Sequence, residues 1–228
     1  MCGRFTLTRR EAEKLAAELG VPVESLQDYR PRYNIAPTDQ HWIMRMKYED
    51  RELLPARWGL INSWAKDKRT GFKQINARAE TLRQRPTFKD AFSKRRCVVP
   101  ADGFFEWVGP KNARQPIWFH RPDNGLILFA GLYESWQPAP GEWERTFTIV
   151  TTDANTVVGR VYDRMPVILE ERSVDEWLFA AQDDRERLQS LLTPAAEHVL
   201  AYTPVSPLAN SVKNDDPSVL AQVDYRVA

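Results

Sequence analysis

The residue with the most distinctive chemistry in this chain is Cys2, in the opening MCGRF. Once Met1 is removed, Cys2 carries a free α-amine and becomes a 1,2-aminothiol, which no internal cysteine can be. Its amine can condense with an aldehyde to an imine, and its own sulfur can then close on the same carbon. The product is a five-membered thiazolidine. An α-amine of pKa about 7.8 is roughly a quarter neutral at pH 7.4, so it acts as a Schiff-base nucleophile without needing a buried lysine. Gly3 beside it permits close approach of another chain. The same placement also suits an N-terminal-nucleophile amidase or autopeptidase, in which the thiol attacks an amide and the amine serves as base. A small second residue can equally carry no chemistry, so position 2 leaves these alternatives open.

Other reactive groups are sparse. Cys97 leads an apolar CVVP run and reads as a buried, inert thiol. His41, His120 and His198 are scattered without ligand spacing, so neither a metal nor a cofactor is expected. Glu106 lies between Phe105 and Trp107, and strand alternation alone would make it an outward polar residue. Charge is strongly segregated. Between Arg57 and Cys97, twelve Lys/Arg face three acids, a local +9 that leaves −8 for the remainder of a chain carrying +1. Trp58, Trp64, Phe72 and Phe88 interleave with these cations, the combination used to bind single-stranded nucleic acid. Trp58, in RWGL, reads as core and Trp64 as a stacking platform.

The elements that must position these groups are short. Thr8 followed by Glu11 reads as a capping box opening a helix that Gly20 ends. A second helix is expected from Ser173 and a third over Asp183–Leu192. Strand-type segments are His41–Lys47, Cys97–Val99, Pro116–His120, Leu126–Leu132 and Thr146–Thr151, separated by Pro, Gly, Asn and Asp. With 228 residues and 16 prolines, the chain reads as one α+β domain over residues 1–228. Its core is expected to be a folded-over, mainly antiparallel β-barrel or sandwich with peripheral helices. No apolar run approaches a membrane span, the amino terminus lacks an apolar leader core, and two cysteines suit a reducing compartment. The expectation is a cytoplasmic protein in a bacterium, or a nuclear one in a eukaryote.

MCGRF is followed in order by RYNIAP (Arg32–Pro37), INARAET (Ile75–Thr81), VVPADGFFEW (Val98–Trp107) and DRMPVIL (Asp163–Leu169), then by PVS and VKN near residues 204–214. In this order and spacing the chain resembles the SOS response-associated peptidase (SRAP) family over nearly its whole length. The resemblance implies a sensor of abasic sites in single-stranded DNA, with a DNA–protein crosslink between Cys2 and the ring-opened deoxyribose. Possible lyase or thiol autopeptidase activity belongs to the same family picture. It implies that Cys2 is the nucleophile, that Asn76 holds the terminal amine or the deoxyribose oxygens, and that Glu106 is the acid/base. Arg4, Arg78 and Arg164 are implied as phosphate contacts, with Trp64 as the stacking platform. The expected partner is abasic single-stranded DNA, bound by a monomer with little sequence preference.

One position departs from the family pattern. Where the family carries His before DRMP, this chain has Tyr162. A phenol can donate a hydrogen bond but cannot become cationic near neutrality. Crosslinking is expected to persist, with slower ring opening or release. The competing expectations are hydrolysis of an amide without DNA, or noncovalent strand binding that ignores Cys2.

Overall fold

A computed structural model describes residues 2–179 and 184–225. In chain order its regular elements begin with β1 (Phe5–Leu7), α1 (Ala12–Leu19), β2 (Arg32–Ile35), β3 (Gln40–Lys47), β4 (Asp50–Trp58) and β5 (Asn76–Arg78). Next come α2 (Pro86–Lys94), β6 (Arg96–Ala101), β7 (Gly103–Val108), β8 (Gln115–His120), β9 (Ile127–Trp136) and β10 (Glu144–Asp153). The last are β11 (Arg164–Pro166), α3 (Glu171–Phe179), α4 (Arg185–Ser190) and β12 (Ala201–Pro204).

Five strands close a barrel in the order β10-β4-β3-β6-β9, with β9 returning to pair β10. Closure removes the exposed sheet edges that would otherwise template aggregation. The β10–β4 contact is parallel and the other barrel pairings are antiparallel. Beyond the barrel rim β10 continues, taking β5 in parallel on one side (Ile149 to Asn76, Thr151 to Arg78) and β11 on the other (Asp153 to Arg164). A second, fully antiparallel sheet, β12-β8-β7-β1-β2, packs against the barrel. The fold is therefore α+β with a mainly antiparallel barrel-and-sheet core, as expected.

Aromatic side chains join the two layers. The Phe5 ring on β1 meets His41, Trp58 and Phe129 of the barrel edge-on, with centroids 4.8, 5.0 and 6.0 Å away. On β7, Phe104 stacks on Phe119 at 5.2 Å and meets Phe129 edge-on at 6.0 Å. Edge-to-face pairs of this kind add directionality to the burial of large apolar surface. His41 is buried among these rings with Nε2 donating to the Pro100 carbonyl at 2.8 Å, and burial lowers its pKa to about 4. It stays a neutral core residue.

Several expected boundaries shift for identifiable reasons. Thr8 does not cap α1. Its backbone N–H and hydroxyl both bond the Asp102 carboxylate, at 2.6 and 2.7 Å, and α1 begins at Ala12 with no side-chain cap. Gly20 does end it, at φ 66°, donating to Ala16 and Ala17 carbonyls. The helix expected from Ser173 starts two residues earlier at Glu171, and α4 covers Arg185–Ser190, while Asp183 lies outside the described residues. The five expected strands are all present, most of them longer, and β1, β2, β4, β5, β7, β11 and β12 are additional to them. The segment after Asn214, which lies beyond the last of the ordered motifs, is built into the fold. The Asp215 carboxylate accepts from the Tyr33 and Asn34 amides and from Arg32, and Val219 is buried against Phe105, Val205 and Ala209. Among the described residues no helix is long and apolar enough to cross a membrane.

Candidate active site

The start of the chain is brought to the rim of the barrel by β1. Phe5 pairs with Phe104 and Thr6 with Gly103, and the Phe105 amide donates to the Arg4 carbonyl at 2.9 Å, which extends the ladder toward the amino terminus. Continued one step, that register sets Glu106 across from Gly3. Gly103 leaves room for the Trp118 indole, which donates to Thr6 Oγ1 on β1 at 3.2 Å, because a Cβ there would lie 2.1 Å from the indole nitrogen and 2.8 Å from the Phe119 carbonyl.

Alternation along β7 explains where Glu106 points. Phe104 turns toward the barrel and Phe105 toward the small cluster of Val205, Ala209 and Val219. With period two, Glu106 shares the barrel-facing side of Phe104 and Trp107 shares that of Phe105. Both faces of β7 are covered, so polarity alternation could not reveal a solvent side. Glu106 is only 5% exposed, and burial, with the Asp163 charge adding and Arg114 opposing, raises its pKa from 4.5 to about 7.

Cys2 is fully buried, with Sγ 3.9 Å from the Arg4 carbonyl. Burial first, and the Glu106 charge second, push its thiol well above the ordinary range. Asn76, on β5, donates from Nδ2 to the Cys2 carbonyl at 2.8 Å, while its Oδ1 is buried with no hydrogen-bond partner among the described residues. Asn76 is carried there by the parallel pairing of β5 with β10, and the Trp58 indole and Ile149 amide both donate to the preceding Ile75 carbonyl.

Tyr162 lies in the turn before β11. Burial and the charges of Asp163 and Glu106 push its phenol upward, while Arg78 and Arg164 act in the opposite sense. Thus Cys2, Asn76, Arg78, Glu106 and Tyr162, spread over 160 residues of sequence, surround one end of β10. Sequence reasoning did not assign Asp163 or Arg114. Asp163 sits inside a recognised motif, but Arg114 lies in the turn between β7 and β8, where only its charge marks it.

The four expected DNA contacts differ in setting. Arg78 is exposed beside the site. Trp64 is 57% exposed, whereas Trp58 is fully buried, stacked parallel to Phe147 at 6.3 Å. Arg4 lies partly buried over the Trp107 ring at 5.5 Å and donates through Nη1 to Asn34 Oδ1 and the Ala209 carbonyl. Arg164 is 7% exposed. Its Nη1 donates to Glu80 and Asp153 at 2.8 and 2.5 Å, and its Nη2 to Glu80 and the Thr151 carbonyl at 3.0 and 2.9 Å. Arg164 therefore clamps β11 and β10 to the turn that follows Arg78.

Part of the basic segment is likewise consumed internally. Arg96 donates to the Phe92, Ser93 and Trp177 carbonyls, Arg95 pairs with Glu134, Arg69 with Asp67, and Phe88 is 6% exposed in the core. A cavity of about 720 Å³ between α1, α3 and residues 193–199 contains none of the site residues. Its arginines Arg51, Arg121 and Arg172 are paired with Asp175, Asp123 and Glu170. Among the described residues no three His, Cys, Asp or Glu converge as a metal site.

A thiol near the chain start, an amide that holds its backbone and a buried carboxyl raised toward neutrality come together where barrel and sheet meet. The family model for SOS response associated peptidase (SRAP) matches residues 1–212, and the chain belongs to this family. It is 40% identical over 224 residues to the abasic site processing protein YoqW of Bacillus subtilis (strain 168), covering 96% of this chain and 99% of that protein. It is 32% identical to the abasic site processing protein HMCES of Gallus gallus, covering 87% and 68%. An X-ray structure of a protein from Bacteroides thetaiotaomicron superposes with a TM-score of 0.85 at 26% identity, covering 97% of this chain and all of that one.

Proposed function

We infer that this protein processes abasic sites in single-stranded DNA by forming a covalent thiazolidine through Cys2. The relatives' names supply the lesion, and the observation that carries the chemistry is Glu106, buried beside Cys2 with a pKa near 7. The reaction requires loss of Met1 to expose the Cys2 amine.

The steps follow from the groups present. Protonated Glu106 delivers its proton to the ring oxygen of the closed sugar while the anomeric hydroxyl gives one up, opening the aldehyde. The neutral Cys2 amine adds to that carbon; Glu106, reprotonated by the proton the anomeric hydroxyl gave up, then protonates the carbinolamine hydroxyl, which leaves as water and yields the iminium. The Cys2 thiol then adds to the iminium carbon and its proton passes to the Glu106 carboxylate. The net product is the thiazolidine plus one water. A thiol held far above its ordinary pKa stays protonated in the resting site, so a nearby base of pKa about 7 is needed for closure.

Asn76 fixes the Cys2 carbonyl through Nδ2 and offers Oδ1 to the amine or a sugar hydroxyl. Tyr162 donates a hydrogen bond in place of the family's His. Arg78 and Arg4 meet the flanking phosphates, Trp64 stacks on an unpaired base, and Arg164 acts beneath them by fixing Glu80 and Asp153. The test is an adduct between the mature protein and an abasic single-stranded oligonucleotide that survives denaturation. Absence of that adduct with mass-verified Met1-free protein overturns the reading.

A further inference from the structure

At the start of β10, below the site, three large aromatic side chains stand in solvent: Trp143 is 66% exposed, and Phe72 and Trp64 are each 57% exposed. Their neighbourhood is tied together by Arg57. Its guanidinium lies 5.8 Å from the Phe72 centroid and its Nε is 3.6 Å from Glu144, next to Trp143. Trp136, which pairs with Glu144 across β9–β10, donates its indole N–H to the Ala65 carbonyl at 2.7 Å and so fixes the Trp64 loop at the same end.

Exposed cations flank these rings in sequence. Among the described residues, Lys66, Lys68, Lys73 and Arg145 are exposed and form no ion pair, whereas Asp67 is taken by Arg69 and Glu144 by Arg57. Glu142 is the neighbouring acid left over. The patch is thus aromatic and net positive, which suits bases and phosphates together and disfavours an apolar or basic protein face.

It is also continuous with the site. Phe72 precedes Asn76 by four residues, a chain reach of at most about 14 Å. Along β10, Glu144 and Thr151 are seven residues apart, or roughly 23 Å of extended strand, and Thr151 is the register partner of Arg78. A strand leaving the lesion past Arg78 would meet these rings after a few nucleotides.

We propose that Trp143, Phe72 and Arg145 form a second stacking platform that holds undamaged nucleotides on one side of the lesion. This rests on the single-strand reading above and extends it. Bases stack on Trp143 and Phe72 without sequence preference, and Arg145 and Lys73 neutralise the accompanying phosphates. The platform raises affinity for long strands and leaves the reacting sugar untouched.

The experiment compares wild type, Trp143→Ala and Arg145→Gln. Noncovalent affinity is measured by fluorescence anisotropy for undamaged single strands of increasing length. Crosslink rates are measured with short abasic oligonucleotides and with ones extended only 5′ or only 3′. Trp143→Ala is expected to weaken long-strand binding at least about fivefold, the lower end of one base–aromatic stack, and to slow crosslinking for one extension only. Arg145→Gln is expected to lower the salt slope by about one unit for long strands only. Short-oligonucleotide crosslinking should match wild type in both variants, and an unchanged melting temperature excludes misfolding. Equal losses at every length, or none at any, overturn the platform. Unchanged DNA binding with self-association that Trp143→Ala abolishes also overturns it, in favour of a protein contact. If wild type binds undamaged strands with this length dependence but forms no adduct, the crosslinking reading fails and the platform stands.

Discussion

Replacing Glu106 by Gln separates catalysis from stability, because the same burial serves one and costs the other. The Glu106 pKa rises from 4.5 to about 7, chiefly through burial. Below pH 4.5 the carboxyl is protonated in folded and unfolded chains alike, and its burial carries no charge penalty. As pH climbs from 4.5 through 7 the unfolded chain ionises first, and stability is lost until the folded carboxyl has ionised as well. The 2.5-unit shift corresponds to about 3 kcal/mol at pH 8, an upper bound for a side chain only 5% exposed. Gln keeps the shape and cannot ionise. Glu106→Gln should therefore match wild type at pH 4 and melt roughly 6–12 °C higher at pH 8, at 2–4 °C per kcal/mol for a chain of this size. Its crosslinking rate should fall about 10²- to 10⁴-fold, the usual worth of general acid–base catalysis, and lose the fall in rate above pH 7. Differential scanning fluorimetry across pH and single-turnover adduct formation read the two effects. A variant that melts in step with wild type at every pH would refute the buried-carboxylate argument, whatever its activity.

Further outcomes follow from other residues. Cys2→Ala, or a chain that keeps Met1, should give no denaturation-resistant adduct while retaining noncovalent strand binding, and loss of binding as well would point to a misfolded amino terminus. Tyr162→His restores a group that can be cationic near pH 6.5 and should speed adduct formation or reversal below pH 7; identical rates in both directions remove Tyr162 from the mechanism. Asn76→Ala removes the bond to the Cys2 carbonyl and should slow crosslinking at least tenfold, with strand affinity at high protein concentration little changed, as titration against rate would reveal. Gly103→Ala, whose Cβ meets Trp118 and Phe119, should cost about 1–3 kcal/mol of stability by denaturant titration, the range for overpacking.

Some elements were legible because their cause is local. Gly20 ends α1 through its own backbone conformation, and Trp58 and Trp64 separate into core and surface, as their settings suggested. Thr8 failed as a cap because a carboxylate 94 residues away takes its donors, and no local pattern contains Asp102. The strands that were missed are mostly three to six residues long, and β7 is covered on both faces, so neither length nor alternation marked them. Charge was the least legible property of all. Arg164 looks like any surface cation in sequence, yet its partners Glu80 and Asp153 come from other elements.

The sequence by itself determined the family, through ordered motifs, and singled out Cys2, because a cysteine at position 2 is a fact of covalent chemistry that needs no fold. Only the tertiary structure decided that Glu106 is an interior acid, that Asn76 reaches the Cys2 backbone and that Arg164 is occupied by carboxylates. A pKa depends on how much water and which charges surround a group, and those neighbours are set by pairings between β1 and β7 and between β5 and β10. Such pairings join residues about 100 and 73 positions apart, beyond the reach of any pattern along the chain.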